Sequence, residues 1–226
     1  MSVKLFLLNG PPGCGKDTLA NAVSGSDRTF VKNSFAFPIK EANAAFYSLT
    51  DDQRDLFEKD RVLKESPHPL LLGKSWRQVN IDLAELFVKP NMGKDTFGKL
   101  LINRYKQAVN AGNKIQNIII SDCGFIEEIN PLVEFFGKQN VHIIKILRPN
   151  CSYKGDSRNY VESEKAGYNT HYLRNDKKEL DFLRLGWDMC QTLKNNKHHH
   201  STAFSDDELQ STKNSVAKST ASKSKK

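Results

Sequence analysis

The densest chemistry in the chain lies in nine consecutive residues, Gly10-Pro11-Pro12-Gly13-Cys14-Gly15-Lys16-Asp17-Thr18, directly after the apolar run KLFLLN (4–9). Glycines at 10, 13 and 15 permit positive φ and close approach, so successive backbone N–H groups can converge on one anion. Lys16 adds a point charge suited to β- and γ-phosphates, and a helix starting there adds its positive N-terminal end. GxxxxGK between a strand and a helix is the spacing of a phosphate-binding loop. The usual next residue is Ser or Thr, whose hydroxyl binds Mg²⁺; here it is Asp17, with Thr18 one step later. Direct hydroxyl ligation from the first position is thereby excluded. Either Thr18 contacts phosphate and the metal stays largely water-bound, or an acid, Asp17 or Asp122, holds a metal water. A second GKDT, Gly93–Thr96, has Val88 where the leading Gly belongs and no strand before it, so it reads as a helix start with Asp95 or Thr96 near the cap.

Phosphoryl transfer also needs a metal-side acid, positive charge for the transferring group and a positioned acceptor. Asp122 closes the apolar run IIIS where an acid would face the loop, and capping a turn after the strand is its other reading. Arg148, Lys154 and Arg158 fall within RPNCSYKGDSRNY, and arginine suits forked contact with phosphate oxygens. The polar segment around 149–166 has the composition of a lid that closes on a nucleotide and excludes water. Phe37, Lys40, Arg61, Lys64, Lys74, Trp76 and Arg77 together supply basic and aromatic groups for an acceptor nucleotide.

These residues need elements to hold them. KLFLLN, TFVKNSFAF (29–37), IQNIIISD (115–122), VHIIKILRP (141–149) and the weaker YNTHYLRN (168–175) read as strands. Helices are expected from Lys16, from Pro38 through Phe46, and from about Lys177 to Leu193, the last with apolar residues at helical spacing. A long, mostly helical insert, about 40–113, separates the second and third strands. The alternation argues for an α/β fold with a parallel sheet covered on both faces.

At 226 residues the chain is long enough for one sizeable α/β domain, expected at 1–195. Residues 196–226, rich in Ser, Lys, Thr and Asn, are expected to form a disordered tail in which the run His198–His200 carries no metal function. The formal net charge is +8, and the tail's six Lys against three acids supply part of it. A moderately basic domain suits nucleotides as well as nucleic acid. No apolar run approaches the roughly 18 residues of a membrane helix, so no membrane partner is expected. The opening residues read as a buried strand and not a signal peptide. Cys14, Cys123, Cys151 and Cys190 are widely spaced with no CxxC pair, which suggests neither a zinc site nor a disulfide framework and fits a soluble, cytosolic protein.

The loop GPPGCGKDT resembles that of nucleoside monophosphate kinases of the adenylate kinase type, where a Thr likewise follows one step after the Lys. More specifically, FAFPIKEA, SWRQVNIDLAELF, IIISDCGFIEE, IKILRP, GDSRNY and YLRNDKKEL occur in an order similar to bacteriophage deoxynucleoside monophosphate kinases, across roughly residues 1–193. The resemblance implies a P-loop kinase three-layer sandwich: a five-stranded parallel sheet of order 2-3-1-4-5, helices on both faces, and a helical acceptor-site insert. It implies that Gly10–Thr18 hold ATP phosphates, that Arg148 and Arg158 are lid-side arginines, that Lys40 and Arg77 lie near the acceptor, and that Asn175 falls in the turn against adenine. Many relatives carry an Arg two positions after the strand-three Asp, where this chain has Gly124.

The leading expectation is therefore an enzyme that, with ATP and Mg²⁺, phosphorylates a (deoxy)nucleoside monophosphate, in the host cytoplasm if virus-encoded. A P-loop kinase for another small acceptor is the alternative within enzymes, and a nucleotide-dependent nucleic-acid-binding switch the alternative outside them. The tail lacks the interleaved aromatics that stack on bases, which argues against a nucleic-acid partner. A homodimer is left open.

Overall fold

The computed structural model describes residues 2–195 apart from Gly155, Ser157 and Lys177. The segment 196–226, with the run His198–His200, lies outside the described residues. Five strands, β1 (Lys4–Asn9), β2 (Phe30–Asn33), β3 (Asn117–Cys123), β4 (Val141–Leu147) and β5 (Asn169–Arg174), form one sheet in the order β2-β3-β1-β4-β5. Every adjacent pair is parallel. In chain order the α-helices are α1 (Lys16–Ser26), α2 (Phe37–Phe46), α3 (Asp51–Lys59), α4 (Arg61–Glu65), α5 (Trp76–Asp82), α6 (Lys89–Met92), α7 (Thr96–Asn110), α8 (Ile126–Phe136) and α9 (Glu179–Lys194). Among the described residues no helix is long and apolar enough to cross a membrane.

The three inner strands are almost continuous apolar runs because helices cover both of their faces. Side-chain alternation sorts each strand into two cores. Leu5, Leu7, Ile118, Ile120 and Ile143 pack with Ile39 of α2, Phe97 and Leu101 of α7 and Ile129 and Leu132 of α8. Phe6, Leu8, Ile119, Ile144 and Ile146 pack with Leu19, Ala20 and Val23 of α1 and Phe182, Met189 and Cys190 of α9.

β2 is shorter than the run 29–37 suggests, ending at Asn33. The N–H groups of Phe35 and Ala36 leave the sheet ladder and donate to the Asp122 carboxylate at 3.0 and 2.9 Å. Helix α2 then begins at Phe37 with Pro38 in its first turn, where a missing N–H is harmless.

Between β2 and β3, helices α2 to α7 include a unit with its own small core of Ala44, Phe57, Leu71, Trp76 and Val79. Phe57 and Trp76 stack at 6.0 Å between ring centroids. Thr50 and Gln53 cap α3 reciprocally, and Asp60 caps α4. Helix α5 continues through a π-helical turn, Leu83–Val88, into α6, whose Pro90 has no N–H for the preceding turn. The second GKDT does start a helix, α7, with Asp95 at its N-cap.

Helices α7 and α8 touch through Gly98. A Cβ there would lie 2.2 Å from the Glu128 carbonyl oxygen and 2.6 Å from Pro131 Cγ. The nearest atom is backbone, which cannot swing aside. Gly98→Ala is therefore expected to destabilise the protein by about 1–3 kcal/mol, read by urea denaturation; an unchanged midpoint would contradict this packing.

Candidate functional site

The loop between β1 and α1 takes its shape from its glycines. Gly13 and Gly15 have φ of 77° and 103°, and Gly15 caps α1 from the left-handed region. A Cβ on Gly10 would meet Cys14 Sγ at 2.6 Å and the Ile146 carbonyl at 2.8 Å, so only glycine lets the loop lie on β4. Lys16 is 7% exposed, and its Nζ donates to the carbonyls of Gly10 at 2.6 Å and Pro11 at 2.9 Å. Burial pulls the Lys16 ammonium below its ordinary pKa and pushes the Cys14 thiol up. Asn175, expected against adenine, lies beneath the loop: its Nδ2 donates to the Cys14 carbonyl at 2.9 Å and its backbone N–H to Leu147 at 2.8 Å. Pro11 is buried, Pro12 half-buried and Thr18 exposed on the first turn of α1.

The two candidate acids differ. Asp122 accepts from Ser34 Oγ at 2.6 Å as well as from the Phe35 and Ala36 amides, so both of its oxygens are committed to the β2–α2 connection. The turn-capping reading describes these contacts, and Oδ1, which accepts one hydrogen bond, keeps a lone pair that could meet a metal-bound water. Asp17 is exposed and takes Ser121 Oγ at 2.6 Å and Lys32 Nζ at 3.4 Å, both on Oδ1. Although the carboxylate reaches solvent, the protein packed around its inner side would raise its pKa; the Ser121 and Lys32 contacts outweigh that and hold it low. Among the described residues no group of three or more His, Cys, Asp or Glu is placed to hold a metal. The donor set fits a magnesium ion met through water by Asp17 or by the remaining lone pair of Asp122.

Arginines reach the loop from the segment after β4. Arg148 Nη1 donates to the Gly13 carbonyl at 2.7 Å. The stem of Arg158 lies where a side chain on Gly124 would stand, since a Cβ there would be 2.5 Å from its Cδ and 2.6 Å from its Cγ. The Arg158 guanidinium forks onto Asp156 through Nε at 2.9 Å and Nη2 at 2.8 Å. Arg77 Nη2, from α5, meets the same carboxylate at 2.8 Å. Burial would raise the Asp156 carboxyl, but Arg158 and Arg77 hold it down at about 2. The Lys154 backbone N–H donates to Ser152 Oγ at 3.4 Å.

The acceptor-side candidates divide. Arg77 joins Arg158 through Asp156, whereas Lys40 pairs with Glu58 at 2.6 Å, a carboxylate that also accepts from Trp76 Nε1 at 2.6 Å. Lys64 stands 3.7 Å from Glu58, and Lys74 pairs with Asp82 at 2.6 Å, so these lysines knit the insert together. Phe37 is 47% exposed at the start of α2, with the Arg104 guanidinium 5.3 Å above its ring.

Sequence reading missed Asn9. Fully buried at the end of β1, its Nδ2 donates to the Cys123 carbonyl at 3.0 Å, to Tyr153 Oη at 3.2 Å and to the Asn159 carbonyl at 3.2 Å, while its Oδ1 accepts from the Val161 amide at 3.1 Å. One amide thus ties β1 and β3 to the segment that carries Arg158. A polar residue closing an apolar strand immediately before Gly10 was the available signal. Compared with known proteins, the chain matches no protein-family model and no curated protein.

Glu128, also missed, has a side chain 5% exposed with its nearest cation, Lys89 Nζ, at 3.9 Å. Lys89 itself binds Glu85 at 2.7 Å and sits 3.3 Å over the Phe125 ring. Burial raises the Glu128 carboxyl to about 8, Lys89 opposing and Asp122 and Glu85 adding to the shift. Between its unfolded value of 4.5 and about 8 the folded chain keeps a proton that the unfolded chain releases, so stability falls as pH rises through that window. Glu128→Gln is expected to match wild type near pH 5 and to exceed it by a few kcal/mol at pH 8, in urea titrations at both values. A pH-independent difference would refute this assignment.

Proposed function

We propose that the protein transfers the γ-phosphoryl group of ATP to a (deoxy)nucleoside monophosphate, giving ADP and the diphosphate. The observation that carries this reading is the Gly10–Thr18 loop on the central strand of a β2-β3-β1-β4-β5 sheet, with Lys16 buried inside it and Arg148 bonded to its rim. The resemblance to bacteriophage deoxynucleoside monophosphate kinases supports the acceptor class.

Lys16 and the loop amides bind the β- and γ-phosphates, with the start of α1 adding its dipole. Arg148 and Arg158 neutralise the group in transit. The acceptor oxygen is already anionic, so alignment and charge neutralisation suffice and no strong general base is needed. Phe37, Lys40 and Arg77 border the acceptor's side, and Asn175 braces the loop from beneath. Magnesium brought in with ATP would offset phosphate charge, with Asp17 holding one of its waters. The cytosol, where free nucleotides are found, is the compartment that goes with this activity.

The test is ADP release from ATP and Mg²⁺ with dAMP, dGMP, dCMP, dTMP, hydroxymethyl-dCMP and their ribose counterparts, supplied singly. Acceptor-dependent ADP with at least one is expected. Silence across the panel with ATP still bound would overturn the acceptor class. Lys16→Ala is expected to lower kcat by about 100-fold or more with the far-ultraviolet circular dichroism unchanged. A near-normal rate would remove the loop from the mechanism.

A further inference from the structure

Arg77 and Asp156 are 79 positions apart in sequence, on the insert and on the segment after β4, yet Arg77 donates to the same carboxylate that Arg158 grips. The Asp156 side chain is 4% exposed. Its Oδ1 accepts from the Arg158 backbone N–H at 3.0 Å and from Nε at 2.9 Å, and its Oδ2 accepts from Arg158 Nη2 and Arg77 Nη2, both at 2.8 Å. Two guanidiniums therefore close on one buried carboxylate, and their remaining charge is met from farther off, by Glu65 beside Arg77 and by Asp122 near Arg158. Glu65 reaches Arg77 Nη1 only at 3.4 Å and from the outer side, where it is 46% exposed.

A guanidinium fork fits carboxylate and phosphate oxygens alike. A phosphate monoester brings a third terminal oxygen and up to two charges, and so satisfies two guanidiniums more completely than one carboxylate does. Lys16 is in a comparable state, its ammonium held by loop carbonyls. We propose that Asp156 is an internal stand-in for the phosphate of the acceptor, holding Arg77 and Arg158 together in the free protein and giving way when a phosphate monoester binds between them. This rests on the phosphotransferase reading for the identity of the ligand as a nucleotide. It narrows the substrate class to phosphate monoesters. A nucleoside without its phosphate has no group to exchange for the carboxylate.

Part of the acceptor's binding energy is then spent on displacing Asp156, and apparent affinity falls by the fraction of molecules in the free-arginine state. Calorimetric titration with inorganic phosphate, without ATP, reads this directly. Asp156→Asn is expected to bind phosphate about tenfold more tightly than wild type, and Glu65→Gln, which removes the same charge beside the same arginine, to stay within about twofold. In an Arg77→Ala background the Asp156→Asn gain should disappear. Asp156→Ala gives the same expected sign should the first variant fail to fold. Unchanged or weaker phosphate binding in the Asp156 variants, or an equal gain from Glu65→Gln, would overturn the proposal. Because turnover is not read, a silent acceptor panel would sink the kinase reading alone, and an active panel with no gain in Asp156→Asn would sink the stand-in alone.

Discussion

Cations gathered at one end of a parallel sheet, Lys16 buried, Arg77 and Arg158 half-buried and Arg148 at the surface, each find oxygen, and that requirement organises the structure. Lys16 takes the carbonyls of Gly10 and Pro11, Arg148 that of Gly13, and Arg77 and Arg158 share Asp156. Removing a charge from water without a partner is far more costly than any single packing contact. Each of these cations therefore pins a backbone segment: the loop folds over its own lysine, and the segment after β4 is pulled onto the loop and the insert. On the proposed reading, an anion entering this end of the sheet would meet donors already collected and would replace internal oxygens instead of ordering free side chains.

The sheet beneath supplies what such collection demands. Parallel strands end together at one edge, so the loops after β1, β3 and β4 are neighbours whatever their separation in sequence. Asn9 uses this: it stands at the end of β1 and bonds across to β3 and to the segment at Tyr153, Asn159 and Val161. The Asp122 carboxylate does the same between β3 and the start of α2. Asn9 is buried and Asp122 half-buried, both find most of their partners in distant backbone, and both bind loops to the sheet.

The strands and the glycine-rich loop were legible because their signals are local. β-Branched runs such as IIIS and HIIKI mark buried strands, and glycine spacing with a lysine marks the loop. The strand order came through resemblance, since periodicity says which face of an element is buried and not which strand lies beside it. What was hidden is pairing over long separations. Nothing near Asp122 announces that its partners lie 86 to 88 residues away, and nothing near Lys40 announces Glu58 and Trp76. β2 was overdrawn for the same reason, because its apolar pattern runs past Asn33 while its amides go elsewhere. Asn9 was passed over as the polar last residue of a strand.

Gly124 shows how one absent side chain alters a site. An arginine at that position would rise from the residue just after β3, beside the central strands of the sheet. Here the space is filled by the stem of Arg158, which arrives on the segment after β4 and is steadied by Asp156. Under the proposed phosphoryl transfer the difference has a mechanical consequence. A guanidinium fixed to a strand neutralises charge whether or not the site is closed, whereas one carried by a lid does so only when the lid is down and water is excluded. Neutralisation and closure then become one event, and Asn9, which bonds to the lid on one side and to the strand on the other, is the group through which the frame holds that event in register.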